Sequence, residues 1–321
     1  MIVDLVYFLV QQTMFFTIPL LVVALGGMFS ERSGVINIAL EGIMVAGGFC
    51  SILFISIMQD TMSGQMLLLL AVVVAMVSGA AFSLLHAYAS INMKADQTIS
   101  GTALNLLAPA LAIFLARMIQ PSGVQQINFT NTFRIDKVPV LGDIPVLGNL
   151  FFQNTYITTY LGVVILIIAA IVLYRTKFGL RMRACGEHPQ AADVVGVSVY
   201  KMRYAGVMIS GALAGLGGLI FVVTTSTNFN ATVSGYGFLA LAVLIFGQWK
   251  PYRIAGAALF FGLMKTIAAT YSAVPFLAGL PISGYFYKMI PYVATLIVLV
   301  FSSKKSQAPR AEGIPYDKGA R

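Results

Sequence analysis

Eight apolar runs, each long enough to cross a bilayer as a helix, follow one another at 5–28, 35–58, 65–91, 98–119, 155–174, 205–225, 254–272 and 284–302. A helix needs about 20 apolar residues to span the hydrocarbon core, and little chain remains between the runs for an aqueous domain. Of 321 residues, 59% are hydrophobic and 10% charged, against about 25% charged in soluble domains, so a soluble globular domain is excluded. The sequence therefore predicts an all-α, polytopic membrane helix bundle occupying residues 1–303, with 304–321 as a basic tail. The first run lacks a basic leader and is too long for a signal-peptide core, and reads as a retained helix.

A further stretch, 236–247, is apolar but short, and it follows the polar segment from Ser226 to Gly235. It is either a half-helix or a short ninth span. Positive charge argues for crossing, because cytoplasmic loops carry the Lys and Arg excess. If loop 175–203 is cytoplasmic, its side also collects Arg32, Lys94, Lys250, Arg253 and the basic tail, leaving Arg117, Arg134, Lys137 and Lys288 opposite. That sorting requires about nine spans, within a range of eight to ten, with the N-terminus outside and the C-terminus inside. The net charge of +9 is thereby explained by topology rather than by a nucleic-acid partner. Loop 120–153, with Pro139, Gly142, Pro145 and Gly148, is expected outside, ordered and containing a small hairpin.

Catalytic and metal constellations are missing from the sequence. His86 and His188 are the only histidines, Cys50 and Cys185 the only cysteines, and neither a metalloprotease helix, a Ser/His/Asp set nor a glycine-rich phosphate loop occurs. The chain is expected to be no enzyme, to hold no cofactor, and to rely on another chain for any ATP hydrolysis. The polar residues inside the runs are more informative, since a carboxylate or ammonium in lipid costs roughly 2.5 kcal/mol or more and seeks protein or a water-filled path. Glu41 and Lys265 are such groups. With Asn37, Asn105, Tyr236 and Phe238 they form the expected solute pathway, though interhelical hydrogen bonding and packing explain each singly. Gly211 and Gly215 form a GxxxG pair for close helix packing.

The basic loop contains Gly186-Glu187-His188-Pro189-Gln190-Ala191-Ala192-Asp193-Val194-Val195-Gly196. Proline suits a first helical turn, an acidic residue the positive helix end, and glycine the stop. The spacing predicts a two-turn helix over 187–196, docked in a partner's groove or resting on lipid.

At this loop the chain resembles the permeases of ATP-binding-cassette importers, whose coupling helix carries a pattern matched by Gly186, Glu187, Pro189, Ala191, Ala192 and Gly196. The stretches Glu31–Gly42 and Gly235–Phe238 leading to Gly247 are similar to the nucleoside and simple-sugar branch of the branched-chain amino acid and ribose permease superfamily. The resemblance implies uptake, of nucleosides rather than simple sugars, along a path between two permease subunits. It also implies three partners: a cytoplasmic ATPase, a second and different permease, and an extracytoplasmic substrate-binding lipoprotein. An ion-coupled secondary transporter is the competing class, for which Glu41 and Lys265 are a thin set of titratable groups.

Overall fold

The computed structural model describes residues 2–120, 123–130, 132–274, 279, 283–302 and 307–319. Helices α1 (Ile2–Arg32), α2 (Leu40–Met58), α3 (Gly64–Ala87), α4 (Gln97–Ile119) and α5 (Ile157–Arg175) come first. They are followed by α6 (Lys177–Glu187), α7 (Pro189–Val194), α8 (Val199–Thr225), α9 (Tyr236–Phe246), α10 (Pro251–Thr270) and α11 (Gly284–Ser302). Among the described residues, 7 helices are long and apolar enough to cross a membrane: α1 to α5, α8 and α10. The fold is the expected all-α polytopic bundle.

Helix α8 is the axis of the bundle, packed against α1, α2 and α3. Its glycines make that possible. A Cβ on Gly215 would stand 2.2 Å from the Ala75 carbonyl oxygen of α3, and one on Gly218 2.0 Å from the Met44 carbonyl oxygen of α2. Lipid tails are as apolar as leucine, so close backbone contact supplies the association that water would otherwise drive. Helices α4 and α5 lie outside this core and expose Leu106, Phe114, Ile167 and Ile168.

Two short antiparallel ladders cover one end. Strand β2 (Arg134–Lys137) pairs with β3 (Gln153–Tyr156), forming the hairpin expected in this loop, with residues 138–152 as its connection. Strand β1 (Ile127–Asn128) pairs with β4 (Asn228–Phe229), which ties the loop to the chain leading into α9. The same end holds hydrogen bonds from Gln11 to the Asn149 carbonyl (2.8 Å) and from Gln65 to the Phe133 carbonyl (2.9 Å).

The opposite end gathers the basic loops. Arg32 donates to the Trp249 carbonyl at 3.1 Å, Lys94 pairs with Asp317 at 2.9 Å, and the Ala311 amide donates to the Gly186 carbonyl at 2.8 Å. Loops that the charge count assigns to one side thus meet in space.

Three boundaries differ from the hydropathy reading. Residues 33–39 are not α-helical, so α2 begins at Leu40 rather than at 35. Lys177–Glu187, read as loop, is a helix whose Thr176 hydroxyl caps the Gly179 amide at 3.1 Å. The helix expected over 187–196 covers only Pro189–Val194.

Candidate functional site

Between α1 and α2 the chain leaves the helix through Gly34, whose φ of +97° is left-handed. Backbone polar groups freed inside the protein need partners, and side chains of α3 and α4 provide them. The Ile36 amide donates to Gln97 Oε1 at 2.7 Å. The Ile36 carbonyl lies 2.8 Å from His86 Nε2. A carbonyl only accepts, so Nε2 carries the proton and Nδ1 accepts from the Ser100 hydroxyl at 3.1 Å. Asn105 bridges the break and the first turn of α2: its Nδ2 donates to the Ile38 carbonyl at 2.9 Å and its Oδ1 accepts from the Gly42 amide at 2.7 Å. Asn37 is fully buried and donates to the Ser210 hydroxyl of α8 at 2.8 Å.

The second break precedes α9. A helix start leaves its first N–H groups without intrahelical partners and carries a partial positive charge. The Glu41 carboxylate meets both needs, accepting from the Gly235 amide at 2.9 Å and the Gly237 amide at 2.6 Å. A Cβ on Gly237 would lie 2.4 Å from the Glu41 backbone nitrogen, so only glycine allows this approach. The Lys265 ammonium stands 5.2 Å from the ring centre of Tyr236 and 5.3 Å from that of Tyr292. Tyr236 is buried against Phe221, with ring centres 4.3 Å apart. Phe238, 51% exposed, faces outward from α9.

Of the six pathway candidates, Glu41, Tyr236 and Lys265 therefore form one cluster, and Asn105 joins it through the Gly42 amide. Asn37 is engaged instead with α8, and Phe238 is the one that presents an open aromatic face. A concavity of about 430 Å³ lined by Gln11, Phe15 and Tyr160 lies elsewhere, beside the hairpin.

At the basic end, α6 and α7 meet at His188, with Pro189 opening α7. Gly196, at φ +83°, ends the turn, its amide donating to the Asp193 carbonyl at 2.9 Å. Glu187 does not sit on the α7 start; it lies 3.7 Å from Arg32. Gly186 packs on the Arg32 carbonyl, where a Cβ would come within 2.4 Å. Ala192 is buried with Cys185, Val199 and Tyr316, while Ala191 faces outward. What the loop offers a partner is an apolar tip, Val194 and Val195, 78% and 76% exposed. Burial pushes the Cys185 thiol up to about 11, leaving it protonated and unreactive at neutral pH.

Sequence reasoning missed the neighbouring carboxyl pair. Glu31 accepts from the indole Nε1 of Trp249, and Glu312, from the tail, lies against it beside Arg32. Burial pushes Glu312 up to about 7, outweighing the Glu31 hydrogen bond and the Arg32 charge. Arg32 is shared with Glu187. A carboxyl whose pKa is higher docked than free holds the extra proton in the docked form, so docking is strongest below the ordinary carboxylate range of about 4.5 and weakens as pH rises through about 7. Amide hydrogen exchange of residues 308–316 is expected to speed up between pH 5 and 8 beyond its intrinsic rise. Glu312→Gln should remove that extra acceleration; a wild-type rise matching the intrinsic one would exclude the effect.

Residues 9–299 match the family described as branched-chain amino acid transport system/permease component. The chain is 44% identical to the guanosine ABC transporter permease protein NupQ of Bacillus subtilis, covering 100% of this chain and 99% of the relative. It is 42% identical to the nucleoside ABC transporter permease protein NupC of Lactococcus lactis, covering 99% of each. A putative glucose ABC transporter permease protein, TsgC13 of Haloferax volcanii, is 30% identical over 91% of this chain and 90% of its own length. No solved structure matches. On the family match over nearly its whole length, this chain belongs to the branched-chain amino acid transport system permease component family.

Proposed function

We propose that this chain is the membrane permease of an ATP-binding-cassette importer for nucleosides. The observation that carries the substrate class is the end-to-end identity of 44% and 42% to guanosine and nucleoside permeases, well above the 30% to a putative glucose permease. The site chemistry supports it. Phe238 offers a ring on which a nucleobase can stack, worth roughly 1–3 kcal/mol per base, next to a helix start already occupied by Glu41.

In this reading the chain crosses nine times. Residues 226–246 make one passage, as a non-helical segment tied by Phe229 to the hairpin end and then α9, which ends beside Trp249 at the basic end. The basic end faces the cytoplasm by the charge rule, and 120–156 faces outward to receive solute from a binding lipoprotein. The exposed face of α9 closes against a second permease, and the Val194–Val195 tip seats in the ATPase. ATP-driven movement of α7 then opens the path inward.

Uptake of labelled guanosine, uridine, ribose and glucose by the complete complex in liposomes tests the substrate. Nucleosides are expected to accumulate and to compete with one another; preferential ribose or glucose uptake would refute the assignment. Replacing the tip, Val194→Asp with Val195→Asp, is expected to release the ATPase during purification. An ATPase that stays bound would move the docking surface elsewhere.

A further inference from the structure

Residues 307–319 are not an appendage on the basic end; they are fixed to it along their length. The Gln307 amide donates to Gln248 Oε1 at 2.9 Å, just past the end of α9. The Ala311 amide donates to the Gly186 carbonyl at 2.8 Å, at the end of α6. Arg203, 1% exposed in the first turns of α8, donates from Nη1 to the Ile314 carbonyl at 3.0 Å. Tyr316 stacks edge-on against Tyr200 with ring centres 5.6 Å apart. It also packs with Ala192 of α7. Two exposed ion pairs, Lys94 with Asp317 at 2.9 Å and Lys318 with Asp193 at 3.9 Å, finish the path. Exposed pairs contribute little energy, but these set the direction in which the segment runs.

The places it joins are the informative part. Gly313, at φ +76°, sits on Ile36 so closely that a Cβ would stand 2.8 Å from Ile36 Cδ1. Ile36 is the residue whose amide and carbonyl are held by Gln97 and His86 within the first break. One face of the segment thus rests on the non-helical stretch between α1 and α2, another on α6 and α7, and its start on the chain just past α9. Helix α7 is joined covalently only to α5 through α6 and to α8, whereas the first break belongs to α1 and α2. A displacement of α7 reaches that break through packed side chains, and coupling between distant sites travels through such contiguous contacts.

We propose that residues 307–319 form a strut that carries movement of the α7 tip to the break at 33–39 and to the cytoplasmic end of α9. The role rests on the reading of α7 as the ATPase contact. Its parts are specific: Tyr316 senses α7 through Ala192, Arg203 anchors the middle on α8, and Gly313 bears on Ile36. The half-buried Glu312, against Glu31 and beside Arg32, seats the segment between Arg203 and Gly313.

The test uses the complete complex, with its ATPase and binding protein, in liposomes supplied with guanosine. Two variants are compared with wild type: deletion of 307–321, and Gly313→Leu, which adds a side chain at a left-handed position facing Ile36. Both are expected to keep the ATPase bound and hydrolysing ATP while guanosine taken up per ATP falls about tenfold, within the usual range of coupling between sites. If the deletion variant does not accumulate in the membrane, Gly313→Leu decides. Unchanged uptake per ATP in an assembled variant would overturn the strut. Loss of the ATPase from the Gly313→Leu complex would overturn it too, by making the segment an assembly element. The α7 contact is judged separately by the Val194→Asp, Val195→Asp variant, so failure of that contact and failure of the strut give different results.

Discussion

Gly215→Leu is expected to leave almost no folded protein in the membrane, read as loss of the monodisperse peak when a detergent extract is passed over a sizing column. The glycine lies where three helices converge. Its Cβ would meet the Ala75 carbonyl oxygen at 2.2 Å and the Gly79 Cα at 2.9 Å on α3, and the Gly47 position of α2 faces the Gly215 backbone from the other side. The obstructing atoms are backbone, so no rotamer change relieves the clash. Overpacking a yielding core costs about 1–3 kcal/mol; here α8 must separate from α3, and the loss of that contact is expected to exceed the range. Gly256→Leu is the control. A Cβ at Gly256 meets nothing within 4 Å, and its yield should match wild type. Normal yield of Gly215→Leu would mean that α8 does not pack as described.

Glu41→Gln is expected to lower uptake about a hundredfold in a complex that still binds its ATPase. The carboxylate accepts from two amides at the start of α9. Glutamine keeps one acceptor oxygen and turns an NH2 group toward the other N–H, replacing an attraction with a repulsion. Hydrogen bonds to charged groups are worth about 1.5–3 kcal/mol each, and the same change removes the negative charge near Lys265. Glu41→Asp, shorter by one methylene, should fall between. Transport equal to wild type in Glu41→Gln, measured with ATPase activity, would confine Glu41 to packing and remove it from the pathway.

The apolar runs made the bundle legible because length and hydropathy are what the bilayer selects. The two breaks were harder to see, for opposite reasons. Val35, Ile36, Ile38 and Ala39 are apolar, so hydropathy extends α2 through them; only the side-chain partners Gln97, His86 and Asn105 on other helices reveal that the backbone there is not helical. The second break showed in the polar segment from Ser226 to Gly235, and the short run after it was correctly singled out. Asn37, Glu41 and Asn105 stood out as polar groups in apolar runs. What sequence could not show is that each spends hydrogen bonds on a backbone or hydroxyl group inside the protein. Lys177–Glu187 was read as loop because its basic residues mask a helix that buries Gly179, Met182 and Cys185. The tail was read by charge alone, yet Tyr316, the one aromatic residue in it, was its signal, and it is 5% exposed.

The shortness of α9 has a dielectric consequence. Its 11 residues rise about 16 Å, roughly half of the ~30 Å hydrocarbon thickness. The preceding chain from Ser226 to Gly235 is non-helical, with left-handed φ at Ala231, Ser234 and Gly235, and Thr232 and Ser234 are exposed there. In the nine-span arrangement proposed above, a polar molecule moving beside this passage would give up its water over about half a bilayer rather than a whole one. The chain itself would then thin the low-permittivity slab locally, before any helix moves.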